Sequence, residues 1–354
     1  AGSATPRTVP SRFRRMNPGV LRPKTQARRG GWFELPPLPG IGVAGAFVGV
    51  VGDALVVAGG ASFPEKPPWE GGTKLWHTDI WMLAYPNGNW VRAGELPAPR
   101  GYGAALASNG SLLCAAGSDS DRHHTDCWEM RRTGTDKVSV KRVGELPAPL
   151  ANPAWASHQN RLLIVGGQAS PTATQALADI TLLESRPGSV KVKALPSIPG
   201  DGRILAWAGH VQGRWWAGGG AALAPGPDGK PVRRLLRDCW TLHPDFTAWD
   251  RRKDTTRPIV APPNPVFESR GELVILPGDD GTLAGFSPPD KHPGFPRRTS
   301  RFHPSDNRWQ DDPAVPFAQV TTGTARWRGM WVVASGEIRP GVRSPKIWAH
   351  RGTP

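Results

Sequence analysis

Gly94-Glu95-Leu96-Pro97-Ala98-Pro99 returns as Gly144-Glu145-Leu146-Pro147-Ala148-Pro149 and, more loosely, as Ala194-Leu195-Pro196-Ser197-Ile198-Pro199, 50 residues apart each time. A period of that length marks a β-propeller, in which each repeat is one blade. A second signal counts the blades. An apolar run closing on a small residue and glycine occurs six times, at 56–60, 112–117, 162–167, 215–219, 273–278 and 331–336. Six runs predict six blades.

A third signal lies further along each block. Asp79-Ile80-Trp81, Asp126-Cys127-Trp128, Asp179-Ile180-Thr181, Asp238-Cys239-Trp240, Arg301-Phe302 and Ile347-Trp348 read as the next strand. Each block is then strand, turn, strand ending in Gly, loop, strand, turn, strand, a four-stranded antiparallel blade. The last block stops after Ile347-Trp348, and its missing strand is found at the other end. Trp32-Phe33-Glu34-Leu35-Pro36 has the Trp-then-Leu-Pro pattern of Trp90 to Pro97. The N-terminal strand is therefore expected to complete blade six and seal the ring, leaving no unpaired edge. The fold class is all-β, a six-bladed propeller over 31–354.

The composition agrees. With 43 Gly and 39 Pro in 354 residues, a helical protein is excluded. The formal charge of +15 invites a nucleic-acid reading, but residues 1–30 carry seven Arg, one Lys and no carboxylate, leaving only +7 on the rest. That segment lacks aromatic interleaving beyond Phe13 and any amphipathic period, so a solvated, disordered extension is expected, with no nucleic-acid partner. No apolar signal segment precedes it and the chain starts at Ala, which suggests a processed N-terminus. The uncharged stretch 36–52 ends on Gly52-Asp53, a hairpin turn, so no stable membrane insertion is expected. Cys114, Cys127 and Cys239 are too few for a disulfide framework.

Strand alternation puts the loops after each second strand, and those joining blades, on one face. The residues following the glycine signals, Ala61, Ser118, Gln168, Gly220, Asp279 and Glu337, should ring the channel mouth, and Arg100, Asn152, Arg203, Thr321 and Thr322 should join them. Arg100 and Arg203 have the competing reading of structural arginines between blades. His77 and Asp79 read as braces of a long insertion, 61–80, because Asp79 repeats at Asp126, Asp179 and Asp238. Trp69 reads equally as a sugar platform or a cap on its own loop. His123-His124 with Cys127 has loose metal-ligand spacing, but no second cluster accompanies it and no metal site is expected.

The repeat resembles the kelch class. The insertion Ala61-Ser62-Phe63-Pro64, followed by Trp69-Glu70-Gly71-Gly72, and the segment Gly336-Glu337-Ile338-Arg339-Pro340-Gly341-Val342-Arg343 resemble the N-acetylneuraminate (sialic acid) mutarotase family, in its cyclically permuted branch. His292-Pro293-Gly294-Phe295 and Val320-Thr321-Thr322 carry the likeness over 31–354. Ser62 departs from it, since the family pattern has Asn there. The resemblance implies Glu337 and Arg343 as the catalytic pair, and a periplasmic location. Arg100, Asn152, Arg203, Thr322, Trp69, Glu70, Ser62 and Asp279 are the expected substrate contacts. In such a reaction Glu337 takes and returns the proton, Arg343 holds the substrate carboxylate bidentately, and no cofactor is required. The alternative is a non-catalytic propeller that docks a protein or glycan. Other propeller enzymes are excluded by absence: only Tyr85 and Tyr102 are present, against a copper-radical oxidase, and Ser-x-Asp-x-Gly-x-Thr-Trp turns are missing, against a sialidase. Neither a Gly-x-Ser-x-Gly elbow nor a phosphate loop occurs.

Overall fold

The computed structural model describes Gly2 and residues 31–352; the basic extension expected over 1–30 lies outside the described residues. Six four-stranded antiparallel sheets follow one another around an axis. Blade one uses Phe47–Val51, Ala54–Ala58, Asp79–Leu83 and Trp90–Glu95. Blades two to five repeat the order, starting at Ala104, Ala154, Trp207 and Phe267. Blade six takes Thr324–Trp327, Met330–Ala334 and Ile347–Arg351 from the C-terminal end. Its outer strand is Trp32–Leu35, paired antiparallel with Ile347–Arg351 in the register Trp32 to His350 and Leu35 to Ile347. The closure read from the Trp-then-Leu-Pro pattern is thus the observed one.

Both faces of every blade are covered, which explains why the second strands read as unbroken apolar runs rather than alternating ones. In Ala54–Ala58 the odd residues Leu55 and Val57 pack toward blade six while Val56 and Ala58 pack toward blade two. The same division produces one apolar core at each of the six blade junctions. The repeated outer-strand tryptophans have a specific task. Trp90, Trp249 and Trp309 donate their indole N–H to Pro36, Pro196 and Lys253, carbonyls just past the outer strand of the preceding blade, at 2.7–2.8 Å. Each indole thereby buries its rings at a junction and satisfies its one polar group there.

The glycine pairs answer a steric demand. Gly59 and Gly60 have φ of 66° and 86°, and a Cβ on Gly59 would lie 2.1 Å from the Arg100 carbonyl oxygen. Only glycine lets the chain pass there. Among the described residues no helix is long and apolar enough to cross a membrane.

Candidate active site

The turn after each second strand forms an antiparallel bridge to the loop that enters the same blade: Ala44 to Ala61, Gly101 to Ser118, Ala151 to Gln168, Ile204 to Ala221, Val260 to Asp279 and Val320 to Glu337. Five of the six expected mouth residues stand in this circle. The sixth is Ala221 rather than Gly220, because Gly219 and Gly220 are both spent on the left-handed turn, with φ of 58° and 77°.

Inside that circle lies a second one, made of main chain. Tyr102 donates its N–H to Gly45 O, Asn152 to Tyr102 O, Leu205 to Asn152 O, Ala261 to Leu205 O, Thr321 to Ala261 O, and Gly45 to Thr321 O, at 2.6–2.9 Å. The six bonds run head to tail and close a hoop around the axis. Every member has φ between 53° and 70°. Five of them are not glycine, so the fold holds each in a left-handed conformation that its sequence disfavours.

The hoop floors a cavity of about 410 Å³. Three two-stranded arms rise around it, each inserted between the second and third strands of its blade: Ala61–Ser62 with Leu75–Trp76, Ala221–Pro225 with Pro231–Leu235, and Glu337–Arg339 with Val342–Arg343. Blade one contributes Phe63, Pro68 and Lys74 to the wall, and blade four contributes Arg233. Blade five adds Asp279 and Phe295, and blade six adds Glu337, Gly341 and Arg343. Asn152 and Tyr102 reach up from the hoop itself.

Glu337 and Arg343 face each other across their arm. Arg343 Nη1 lies 3.1 Å from Glu337 Oε1, with side-chain exposures of 4% and 19%. The same carboxylate oxygen accepts the Gly341 N–H at 2.6 Å, which fixes its rotamer against the turn. Arg343 is held from three further sides: Nε donates to Ala61 O at 3.2 Å, Nη2 to the Tyr102 hydroxyl at 3.5 Å, and the guanidinium covers the Phe63 ring at 5.1 Å. The second carboxylate oxygen, Oε2, has no hydrogen-bond partner among the described residues.

The remaining sequence candidates separate into four groups. Asn152 and Asp279 line the cavity. Thr322 lies beneath the hoop, its hydroxyl bonded to Ala334 O. Arg100, Arg203 and Ser62 are corrected to internal positions. Arg203, 2% exposed, forms a bidentate pair with Asp238 at 2.8 Å, and Arg100 lies 3.5 Å from Asp126 with its guanidinium over Trp128. In blades two and four the entering arginine thus lies beside one of the repeated aspartates, whereas Asp79 pairs with Arg92 of its own blade's outer strand. Ser62 Oγ is bonded to His77 Nε2 at 2.8 Å under the insertion, where burial lowers the histidine pKa against the opposing pull of Asp79. Trp69 packs on the turn at Gly341, where a Cβ would lie 3.2 Å from its ring, so it is a cap, and Glu70 is exposed beside it. Neither lines the cavity.

His123 is bonded to Ser118 Oγ at 2.9 Å and His124 to Asp119 at 2.6 Å, while Cys127 is fully buried. Among the described residues no group of three or more His, Cys, Asp or Glu could hold a metal. Sequence reasoning missed Lys74, Tyr102, Phe63 and Arg233 as cavity residues. Lys74 and Phe63 lie within the insertion already singled out, whereas Tyr102 and Arg233 carried no local signal.

No protein-family model matches the chain. Two curated relatives are both named N-acetylneuraminate epimerase. That of Brucella melitensis is 40% identical over 101 residues, covering 25% of this chain and 26% of the relative. That of Escherichia coli strain K12 is 38% identical over 96 residues, covering 24% and 26%. The match thus spans about a quarter of the length of these relatives. The solved structure of YjhT aligns over 82% of this chain and 89% of that one with a TM-score of 0.64 at 17% identity, a likeness of fold. Segment and architecture together make the chain similar to the N-acetylneuraminate epimerases in part of its sequence, on a six-bladed propeller.

Proposed function

We propose that the protein is a mutarotase that interconverts the α and β anomers of N-acetylneuraminate or a related keto-sugar acid. The observation that carries this reading is the Glu337–Arg343 contact at 3.1 Å on the rim of a cavity large enough for one sugar. The partial match to relatives named N-acetylneuraminate epimerase supports the same reading.

Ring opening of a hemiketal moves one proton off the anomeric hydroxyl and places one on the ring oxygen, as the bond between that oxygen and the anomeric carbon breaks. The open-chain carbonyl then turns over and the steps reverse. Glu337 is the group that takes the proton and returns it, through the oxygen left free of the Gly341 bond. Arg343 holds the Glu337 carboxylate in place and sets a positive charge beside the oxygen that gains negative charge during opening. Asn152 and Asp279 lie within reach of sugar hydroxyls, and Phe63 and Phe295 offer apolar faces to the carbon skeleton. Mutarotation proceeds slowly in water, so positioning and one proton carrier are sufficient for acceleration.

Time-resolved NMR of freshly dissolved single-anomer N-acetylneuraminate tests the reading. The wild type is expected to shorten equilibration, and Glu337→Gln to lower that acceleration by roughly 10²- to 10⁴-fold. A wild type that leaves the exchange rate of sialic acid and related keto-sugar acids unchanged refutes the reading and favours a docking platform.

A further inference from the structure

Three cations line the cavity, and they are not equivalent. The Arg343 side chain is almost wholly buried: Nε donates to Ala61 O and Nη2 to the Tyr102 hydroxyl, while Nη1 is paired in charge with Glu337 without a hydrogen bond. Arg233 is exposed on the arm across the cavity. Lys74 is half-buried between these extremes, and its ammonium has no carboxylate partner among the described residues. It rests instead over two aromatic faces, 4.9 Å from the ring centroid of Trp76 and 4.9 Å from that of Tyr102.

We propose that Lys74 selects for an acidic sugar by supplying the ammonium that meets the substrate carboxylate. The inference rests on the mutarotase reading, whose substrate carries its carboxylate on the anomeric carbon. The anion must then sit within a few ångströms of the atom that Glu337 serves. A continuous row runs in that direction: Lys74 over the Tyr102 ring, the Tyr102 hydroxyl 3.5 Å from Arg343 Nη2, and Arg343 Nη1 3.1 Å from Glu337. A guanidinium charge-paired with Glu337 and only 4% exposed offers a second carboxylate little access. An ammonium with three donors and only aromatic partners has all of them to give. Cation–π contact at a half-open site is weaker than a charge-assisted hydrogen bond, so an arriving carboxylate draws the ammonium off the rings. The four-carbon stem allows that movement without shifting the arm.

Lys74→Met tests the proposal, because methionine keeps the apolar stem against Trp76 and Tyr102 while removing the charge. Steady-state exchange kinetics are measured by NMR on N-acetylneuraminate and on its uncharged methyl ester, with equilibrium binding by calorimetry. The expected result is a KM for the acid raised about 10- to 100-fold with kcat changed less than about threefold, and a KM for the ester nearly unchanged. Lys74→Arg should restore most of the affinity for the acid. If the wild type accelerates exchange and Lys74→Met has the same KM for the acid, the Lys74 proposal fails and the mutarotase reading stands. If the wild type binds the acid through Lys74 without accelerating exchange, the mutarotase reading fails and the anion site stands. If the wild type neither binds nor accelerates, both are overturned.

Discussion

Gly341 joins the turn that carries Glu337 to the insertion of blade one, and replacing it with alanine separates rigidity of the site from stability of the fold. Its φ is 78°, and a Cβ built there lies 2.5 Å from Pro68 Cγ and 3.2 Å from the Trp69 ring. The left-handed conformation itself costs alanine about 1–2 kcal/mol. The overlap costs more in position than in energy, because the arm must retreat by about 0.9 Å to regain ordinary contact at 3.4 Å. The Gly341 N–H that fixes Glu337 at 2.6 Å moves with it. A misplacement of about 1 Å at a reacting group lowers the rate on the order of 10²-fold. The arm lies outside the six junction cores, so the melting temperature should fall by only a few degrees. Anomer exchange by NMR and thermal unfolding by circular dichroism read the two quantities separately. Adding Pro68→Ala should recover much of the lost rate by removing the nearest atom. A Gly341→Ala variant with wild-type exchange rate would refute the idea that the packed arm holds the carboxylate in register.

The remaining predictions concern stability. Arg203→Met strands Asp238 without its bidentate partner and should cost about 3–5 kcal/mol by denaturant unfolding, whereas Arg100→Met should cost less because Asp126 keeps Arg142 at 3.1 Å. Burial pushes the Asp238 pKa up, but the Arg203 hydrogen bonds and charge outweigh it and the net shift is downward from 3.8. The advantage of the wild type over Asp238→Asn should therefore be full above about pH 4 and shrink as pH falls through the lower folded value. His210 acts in the same direction over a higher pH window: burial and the stacked His158, 3.8 Å between ring centroids, lower its pKa from 6.5 to about 4. Between those values the unfolded chain takes a proton that the folded one refuses, so stability falls on acidification, and His210→Phe should flatten the change in urea midpoint across that window.

The blade count and closure were legible because their causes are local. A strand covered on both faces leaves an unbroken apolar run, a turn where a Cβ would lie 2.1 Å from a carbonyl oxygen requires glycine, and Trp90, whose indole reaches the previous blade, precedes Leu96-Pro97 as Trp32 precedes Leu35-Pro36. The Glu337 and Arg343 pair was expected only from the resemblance of segment 336–343, and one short arm carries both residues of that segment. Arg203 misled because an arginine beside a loop looks alike whether it turns inward to Asp238 or outward to a ligand; only the pairing decides. Tyr102 was read as one of two tyrosines and no more. Its place beside Arg343 follows from a left-handed backbone that five neighbouring loops impose, and no side-chain pattern records that. The offset from Gly220 to Ala221 has the same origin, since sequence shows three glycines at 218–220 but not which two are consumed in the turn.

The hoop has a consequence for how such a protein can change. All six of its bonds join amide to carbonyl, so the belt is indifferent to which side chains its members carry, and tyrosine, asparagine, leucine, alanine, threonine and glycine already share it. Substitution at those places can reshape the floor beneath a bound sugar while the girdle that keeps six wedges in one circle stays intact. Recognition can drift there at small expense to architecture, which makes these six positions the natural dials for redirecting the cup toward another guest.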